Sequence, residues 1–162
     1  MGFFPEICAL DEIDRKLLTA LQTDASESLE KLGERVGLSR NACWSRVRRL
    51  EDAGLIRARV ALVDPKHVNL GLCVFIAVRT NAHDPDWLES FAEAVSSLPE
   101  ILSVYRTSGD LDYLIRARVP DVEAYDALYQ KLIRRVQLAD VTASFVMQEI
   151  KDTTVLPMTY AE

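Results

Sequence analysis

Two amphipathic segments joined by a glycine-containing turn are the feature that most limits how this chain can fold. Apolar side chains recur every three or four positions over residues 28–36 and again over residues 40–53, which is the spacing of a helix that buries one face. Gly37 tolerates the left-handed geometry that ends a helix, and Ser39 is a good N-cap for the next one. A third segment with the same period, residues 11–24, precedes them. This arrangement predicts a helix-turn-helix.

The second part of the chain follows a different pattern. From residue 72 onward, runs rich in Val, Ile and Phe alternate with amphipathic segments. The predicted strands are residues 72–80, 101–107, 113–119 and 141–150, and the predicted helices begin at Asp84-Pro85 and Pro120-Asp121. This order is the ferredoxin-like arrangement. We therefore predict an α+β protein in which an N-terminal winged helix-turn-helix is followed by a ferredoxin-like βαββαβ sandwich domain.

Glycine and proline mark the boundaries between these parts. The predicted parts are an N-terminal extension at 1–10, a winged helix-turn-helix DNA-binding domain at 11–56, a linker or hinge at 57–71 and the αβ sandwich domain at 72–162. The stretch from Leu55 to Val63 alternates like a strand pair and predicts the wing.

The first strand of the second part is apolar on both faces. Alternate residues point to opposite sides, so that one face carries Leu72, Val74, Ile76 and Val78 and the other carries Cys73, Phe75 and Ala77. Such a strand is normally buried on both faces, and two helices cover only one of them. A second copy of the chain is the simplest cover for the other face, so we expect a homodimer. The alternative is that the N-terminal domain or a tail covers it.

The charge distribution favours double-stranded DNA as a partner, although the formal net charge is −6. Residues 61–162 account for all of that charge, whereas residues 1–60 sum to zero. Within the first part, the window 35–59 holds seven arginines against only Glu51 and Asp52. DNA responds to the field of a local patch rather than to the total charge, so the basic surface coincides with the predicted helix-turn-helix.

The second helix of this motif separates a buried side from a polar side. At about 100° per residue, Cys43, Val47 and Leu50 share the side that packs on the first two helices. Arginine reads guanine and asparagine reads adenine in the major groove, while a helix N-terminus favours phosphate. The candidate DNA-binding residues are Ser39, Arg40, Asn41, Trp44, Ser45, Arg48, Arg49, Arg57 and Arg59.

Some of these assignments have alternatives. The arginines are also compatible with a solvated helix face paired to Glu51 or Asp52, although their position beside the turn favours DNA. Arg46 projects nearer the core, where it is either a structural ion pair or a phosphate contact. Trp44 is either a base contact or a packing residue at the edge of the helix.

Composition and motifs argue against several other classes of protein. Cys8, Cys43 and Cys73 form no CxxC pair and, with two histidines, offer little for a metal site, so we expect reduced thiols packed as small apolar groups. No Gly-rich phosphate loop, GxSxG or HExxH motif is present, so we predict no catalytic residues and no cofactor. No apolar run approaches the roughly 20 residues of a membrane span. The first ten residues do not resemble a secretory signal, and we expect a cytoplasmic protein.

Several motifs in order resemble one family of prokaryotic regulators. They are Leu10–Leu18, Val36–Ser39 with Arg46–Ile56, Ser108–Leu114 and Glu149–Thr154. From Leu10 to about Pro157 the chain is similar to the leucine-responsive regulatory protein/AsnC (feast/famine) family. The resemblance implies a winged helix-turn-helix, a linker strand and an αβ sandwich domain that dimerises and often assembles dimers into octamers. It also implies that an amino acid or similar metabolite binds between dimers and alters assembly or DNA affinity.

The resemblance also implies where the small-molecule effector binds. The glycine-aspartate turn of the family maps onto Gly109, Asp110 and Asp112, with Thr142 and Ser144 as lesser candidates. A glycine turn offers N–H donors for a carboxylate, and an aspartate accepts from an ammonium, which suits an α-amino acid. The alternative is a plain hairpin turn in which aspartate makes local hydrogen bonds.

We therefore predict a sequence-specific DNA-binding transcriptional regulator whose activity or assembly responds to an amino acid or related metabolite. Two other functions stay open. Proteins of this architecture that decarboxylate a modified haem need histidine and arginine side chains lining a large pocket, and only two histidines are available, His67 and His83, both in predicted loops. The other is a metabolite-binding module without DNA binding.

Overall fold

Three helices form where the sequence predicts them, and a side chain caps the start of each. The computed structural model describes residues 9–82 and 84–161. Its first helices are α1 (Glu12–Thr23), α2 (Leu29–Val36) and α3 (Arg40–Asp52). Asp11 and Asp14 form a reciprocal capping box at the start of α1, and the hydroxyls of Ser28 and Ser39 accept hydrogen bonds from the third residues of α2 and α3. These caps satisfy backbone N–H groups that have no partner within a helix.

The three helices close around a small apolar core. Its buried residues are Leu17, Ala20, Leu32, Cys43 and Val47. Cys43, Val47 and Leu50 lie on the buried side of α3, so the predicted division of this helix is confirmed. Burial raises the pKa of the Cys43 thiol, as expected of a cysteine that packs as a small apolar group. Cys8 lies outside the described residues.

The turn between α2 and α3 depends on two glycines. Gly37 ends α2 with a φ of 75°, a conformation that glycine adopts without a steric cost. Gly33 lies where α2 approaches the turn, and a Cβ at this position would be 2.7 Å from the carbonyl oxygen of Leu38. The turn can therefore close this tightly because position 33 carries no side chain.

The chain forms two compact units whose boundaries differ from the predicted domains. Residues from Lys151 onward group with the residues up to Ala61 in the first, helical unit, and Leu62–Ile150 form the second unit. The second unit therefore starts before the predicted sandwich domain, 72–162, and ends before it does, and the predicted linker, 57–71, is divided between the two units. The N-terminal extension lies outside the described residues except for its last two positions, Ala9 and Leu10.

The C-terminal segment is held by polar side chains of α1. The side-chain amide of Gln22 both donates to the carbonyl oxygen of Leu156 (3.1 Å) and accepts from its N–H (2.7 Å). Arg15 donates to the carbonyl oxygen of Ala161 at 2.9 Å. A short 3-10 helix, Met158–Tyr160, contacts α1 between these points. Because these bonds join backbone to polar side chains of the helix, apolar periodicity does not reveal them.

The second unit has the predicted strand and helix order. Its elements are β1 (Leu72–Arg79), α4 (Pro85–Ser96), β2 (Ile101–Arg106), β3 (Tyr113–Val119), α5 (Val122–Ile133) and β4 (Asp140–Phe145). The strands form one antiparallel sheet in the order β2-β3-β1-β4. This topology confirms the ferredoxin-like prediction.

Helices α4 and α5 cover one face of this sheet. The core between them is apolar and includes Val74, Ile76 and Val78 of β1, Ile115 of β3, Phe91 of α4, and Leu128 and Leu132 of α5. The alternation predicted for β1 is therefore confirmed, since its even-numbered residues from Val74 to Val78 point to the helices.

The opposite sheet face, which we call the open face, carries partly exposed apolar side chains. Directly opposed residues in paired strands share a face. Phe75, which is 37% exposed, therefore lies beside Arg116 of β3, and Ala77 lies beside Leu114. Tyr105 of β2 pairs with Leu114 and extends the same face. The second unit thus leaves an apolar surface along the middle of its sheet.

Two predicted elements differ from the structure. Residues 55–64 of the described chain contain no strand, so the predicted wing hairpin is wrong for the single chain. Within the described ranges, no backbone hydrogen bond joins residues 57–63 to another segment. Strand β4 ends at Phe145 rather than at Ile150, because residues 147–150 are exposed and have no partner strand in this chain.

Candidate functional site

The outward side of α3 presents polar side chains to solvent. Asn41, Ser45 and Arg48 are exposed, and they lie opposite the buried residues of the same helix. Arg40 is exposed at the helix N-terminus, whereas the Ser39 hydroxyl accepts a hydrogen bond from the N–H of Ala42 at 3.3 Å. The structure therefore brings the predicted reading residues onto one accessible surface, and it uses Ser39 as a helix cap.

Two arginines of this surface have acidic partners that are themselves accessible. Arg48 lies 3.8 Å from Glu51 and 3.5 Å from Asp52, and Arg59 lies 2.9 Å from Glu51. Exposed pairs of this kind contribute about 0–1 kcal/mol, so a DNA phosphate or base can replace the carboxylate. Arg57 is exposed and makes no ion pair with the described residues.

Arg46 and Arg49 point to α1. The Nη1 atom of Arg46 lies 2.9 Å from Oδ1 of Asp14 and 2.5 Å from Oδ2 of Asp11, and Nη2 of Arg49 lies 2.5 Å from Oδ2 of Asp14. The Asp14 side chain is 1% exposed. Hydrogen bonding to these carboxylates raises the pKa of Arg46, and the bond from Arg46 lowers the pKa of Asp11.

This cluster changes the interpretation of two predicted residues. For Arg46 the structure shows the ion-pair alternative. Arg49, predicted to contact DNA, has its guanidinium engaged by a buried carboxylate. Asp14 was not among the predicted site residues, because its partners lie 32 and 35 positions away in the chain. Its only sequence signal was an acidic residue in the first turn of α1.

Trp44 lies on the flank of α3 away from this cluster. It is 57% exposed and lines an open cleft of about 450 Å³ together with Leu29, Val47, Arg48, Glu51 and Arg59. The ring therefore remains available to a partner although its edge borders apolar residues. The cleft joins α3 to the extended segment that carries Arg59.

In the second unit, the turn between β2 and β3 is organised by Asp112. Its carboxylate accepts from the N–H of Thr80 at 2.9 Å, and its own N–H donates to the carbonyl oxygen of Val78 at 3.0 Å. Its carbonyl oxygen accepts from the N–H of Thr107 at 2.9 Å. These bonds show the local hydrogen-bonding role that was the alternative for this aspartate.

The other candidate effector residues lie at or near the same end of the sheet. Gly109 has a φ of 124°, which favours glycine, and Asp110 is exposed, with a carboxylate that has no hydrogen bond or ion pair among the described residues. Arg79 donates to the carbonyl oxygen of Asp110 at 2.6 Å and pairs in register with the first residue of β4. Thr142 and Ser144 lie two and four residues further along β4, on the open face.

The remaining sequence candidates lie outside these sites. His67 lies in a short 3-10 helix, Pro65–Val68, rather than in a loop, but it is at the surface as predicted, with Nδ1 3.2 Å from Asp64 and its side chain 84% exposed. His83 is outside the described residues. Across 9–82 and 84–161, no three His, Cys, Asp or Glu side chains are grouped so that they could hold a metal ion. No helix in the described chain has the length and apolar character needed to span a membrane.

Two protein-family models match the chain in the order of its units. The AsnC-type helix-turn-helix domain matches residues 10–51, and the Lrp/AsnC ligand binding domain matches residues 73–156. This chain belongs to the Lrp/AsnC family. The Lrp/AsnC protein described here is therefore a DNA-binding transcriptional regulator, in which a helix-turn-helix is joined to a ligand-binding domain.

Known proteins resemble this Lrp/AsnC regulator over most of its length. The glutamate uptake regulatory protein of Zymomonas mobilis is 46% identical over 149 residues, which are 92% of this chain and 91% of the relative. A crystal structure of an AsnC family transcriptional regulator from Agrobacterium tumefaciens is 46% identical with a TM-score of 0.91, covering 93% of this chain and 99% of its own. A Neisseria meningitidis transcriptional regulator solved in complex with L-Met is 40% identical, with a TM-score of 0.88 and coverages of 93% and 97%. These likenesses confirm the predicted family and fold class.

Proposed function

We propose that this Lrp/AsnC regulator reads a specific operator with the outward side of α3, and that an α-amino acid bound near the 107–112 turn alters its assembly or its DNA affinity. The observation that carries the proposal is the exposed polar side of α3, where Asn41, Ser45 and Arg48 stand opposite the buried core residues. The regulator acts in the cytoplasm, where the chromosome lies. Its relatives named above are regulators, and we infer that this chain likewise performs no catalysis.

In this proposal the residues of α3 and its flanks divide into base readers and phosphate contacts. Arg48 forms a bidentate contact with guanine, and Asn41 forms one with adenine. Ser45 serves bases or phosphate, and Trp44 packs its exposed ring on the sugar or on a thymine methyl group. The N-terminus of α3, with Ser39 and Arg40, holds a phosphate, and the flanking backbone is held by Arg57 and Arg59.

For the effector, Asp110 is the better acceptor of an ammonium group than Asp112. The Asp112 carboxylate already accepts from Thr80 within the turn, whereas the exposed Asp110 carboxylate has no such bond among the described residues. The backbone at Gly109 supplies N–H donors for the ligand carboxylate. That the Neisseria meningitidis relative was solved with L-Met supports an amino acid as the class of ligand. Thr142 and Ser144 remain secondary candidates, because they lie further along β4.

We also propose a homodimer formed through the open face of the sheet, with dimers assembling further up to an octamer. Phe75 and Tyr105 expose apolar surface there, and a second copy of the chain would bury it. The exposed apolar residues Met147 and Ile150 extend the surface available for contact.

The first experiment is a gel shift on fragments of the gene's own upstream region at two salt concentrations, with and without a pool of amino acids. A specific, salt-sensitive shift that the pool alters supports both halves of the proposal, and subdividing the pool names the effector. Retention of every fragment at equal strength argues against a specific operator. A visible haem colour in the purified protein would support the haem-processing alternative instead.

Asp110→Ala and Asp112→Ala separate the ligand role from the turn role. We expect Asp110→Ala to weaken the effector response while the melting temperature stays unchanged. Asp112→Ala should impair the effector response more than DNA affinity, and it should also lower the melting temperature because the N–H of Thr80 loses its acceptor. An effector response that survives Asp110→Ala removes this residue from the site.

The oligomer proposal is tested by Phe75→Glu, with Val122→Glu as the control. Both side chains are exposed in the single chain, but only Phe75 lies on the open face. We expect Phe75→Glu to yield monomers by light scattering after size-exclusion chromatography, while Val122→Glu keeps the wild-type mass. The same mass for all three proteins contradicts dimerisation through this face.

A further inference from the structure

We propose that Asp14 is a positioning residue for DNA recognition, which holds Arg46 and Arg49 against α1, so that α3 keeps one orientation and Arg49 stays off the DNA phosphates. This proposal rests on the assignment of α3 as the recognition helix. It gives Arg49 a different role from Arg48, although the two arginines are adjacent in the chain.

The geometry of the Asp14 carboxylate carries the argument. Each of its oxygens holds one guanidinium: Oδ1 lies 2.9 Å from Arg46 and Oδ2 lies 2.5 Å from Arg49. The two arginines are one turn apart on α3, so a single carboxylate fixes two points along the same flank of the helix. A rotation of α3 about its own axis would break both ion pairs.

The carboxylate itself is held in place by α1. Asp14 belongs to the capping box with Asp11, whose N–H donates to it at 3.3 Å and whose carboxylate accepts from the N–H of Asp14 at 2.8 Å. Arg46 also pairs with Asp11. The ion pairs thus anchor α3 to the capped first turn of α1, which is itself fixed by hydrogen bonds, and not to a mobile surface side chain.

Arg48 and Arg49 differ in the cost of leaving their partners. The carboxylates near Arg48 lie 3.5 Å and 3.8 Å away, with the Asp52 side chain 65% and the Glu51 side chain 30% exposed, so water reaches both when Arg48 turns to DNA. If Arg49 turned to a phosphate, the Asp14 carboxylate, which is 1% exposed, would lose one of its two cationic partners. Its charge would then be only partly compensated, and uncompensated buried charge is strongly unfavourable. Arg49 therefore stays with Asp14, although its side chain is 58% exposed.

The salt dependence of binding to mixed-sequence duplex DNA tests this difference, because each phosphate contact contributes about −0.9 to the slope of log K against log salt concentration. On mixed-sequence DNA no guanine is fixed opposite Arg48 and the side chain contacts a phosphate instead, so we expect Arg48→Ala to make the slope shallower by about 0.9. Arg49→Ala should leave it unchanged and should weaken binding to the operator selected from random sequences by at least about threefold, since orientation of α3 is lost. A slope change with Arg49→Ala equal to that of Arg48→Ala overturns the proposal, as does unchanged operator affinity.

Asp14→Asn tests the other partner, with Glu12→Gln as the matched control. Glu12 carries the same charge in the same helical turn, but it pairs with Lys16 and not with α3. We expect Asp14→Asn to release both arginines and make the mixed-sequence slope steeper by about 1–2, with a lower ratio of operator to mixed-sequence affinity. Glu12→Gln should change neither quantity. An unchanged slope and ratio in folded Asp14→Asn contradicts the proposal.

Two outcomes keep this test independent of folding and of the proposed function. If Asp14→Asn does not fold by circular dichroism, the Arg48→Ala and Arg49→Ala comparison decides, because both side chains are more than half exposed. If the wild type selects no operator but binds mixed-sequence DNA, the proposed sequence-specific function fails. In that case equal slopes for Arg49→Ala and wild type still support the proposal that Arg49 makes no contact with DNA phosphates. A shallower slope for Arg49→Ala would overturn that proposal.

Discussion

The helical unit and the α+β unit of this regulator reach stability by different means. Among the described residues, the apolar core of the helical unit contains five buried side chains, and next to it a buried carboxylate binds two arginines. The core of the α+β unit contains fourteen buried apolar side chains between one sheet face and two helices. A small unit cannot bury enough apolar surface to be insensitive to its polar contacts. We therefore expect the first unit to respond to charge and turn geometry and the second to loss of apolar volume.

The chain contains two tryptophans, and each reports on one unit. Trp44 is on α3 of the helical unit, and Trp87 stacks on Phe91 in the α+β unit with ring centroids 5.0 Å apart. Trp44→Phe leaves a fluorescent reporter for the α+β unit, and Trp87→Phe leaves one for the helical unit. Urea unfolding of these two backgrounds measures the free energy of unfolding unit by unit.

The largest effect is expected in the apolar core of the second unit. Ile115 is fully buried in the central strand β3, and its replacement by alanine removes volume that the sheet cannot fill by collapsing. We expect Ile115→Ala to lower the free energy of unfolding by about 3 kcal/mol, equally at low and high salt, in the Trp44→Phe background. A loss below about 1 kcal/mol, or one that depends on salt, would break the contrast between the units.

A smaller loss is expected where the helical unit depends on turn geometry. Gly33→Ala places a Cβ 2.7 Å from the Leu38 carbonyl oxygen, so the α2–α3 turn must shift, at a cost of about 1–3 kcal/mol. The matched control is Gly71→Ala, whose Cβ would meet only the Lys66 side chain at 4.0 Å. Urea unfolding should show the loss for Gly33→Ala in the Trp87→Phe background and no loss for Gly71→Ala in the Trp44→Phe background, because Gly71 lies in the α+β unit. A loss no larger for Gly33→Ala than for Gly71→Ala would show that the close contact at position 33 does not limit the stability of the helical unit.

The next change affects DNA binding without affecting stability. Arg48→Ala should weaken binding to the operator by about 1–3 kcal/mol, because a base contact is lost while the buried side of α3 is intact. The control is Arg134→Ala, which removes an exposed arginine from the α+β unit. Fluorescence anisotropy with labelled operator measures both. Equal affinity of the Arg48→Ala and wild-type proteins would refute the assignment of Arg48.

The smallest effect concerns the pH dependence of the helical unit. Arg46 lowers the pKa of Asp11 below its ordinary value of 3.8, so the ionised form stabilises the folded state. This contribution is present above the ordinary pKa and is lost as pH falls through the lowered pKa. Melts of wild type and Asp11→Asn between pH 6 and 3 should therefore converge toward the acid end. Curves that stay parallel would show that Asp11 contributes nothing through its charge.

Local signals predicted most of the fold. Strand β3 was predicted at 113–119 and is observed there, because turn residues before Tyr113 and Pro120 after Val119 define its ends. The start of α3 followed from Ser39, whose hydroxyl makes the predicted cap. The prediction of the wing was wrong, because the stretch 55–63 alternates like a strand but no strand lies beside it among the described residues.

The sequence predicted the part of the candidate site that depends on α3 alone, but not the contacts that other elements make with it. The projection of α3 separated exposed Asn41, Ser45 and Arg48 from the buried residues, since that division depends on helical period alone. The partner of Arg49 could not be found in this way, because Asp14 becomes its neighbour only when α1 packs against α3. The hydrogen bond from the N–H of Thr80 to the Asp112 carboxylate likewise joins positions 32 residues apart.

The attachment of the C-terminal segment to α1 has a consequence for synthesis of the protein. Gln22 leaves the ribosome early, but its partner Leu156 is made 134 residues later, which takes about 7–27 s at 5–20 residues per second. During that interval the nascent chain already contains the residues of its recognition helix, whereas Arg15 and Gln22 of α1 do not yet have the C-terminal backbone groups to which they bond. A chain that is released early therefore carries the DNA-reading residues on a helical unit that lacks these hydrogen bonds.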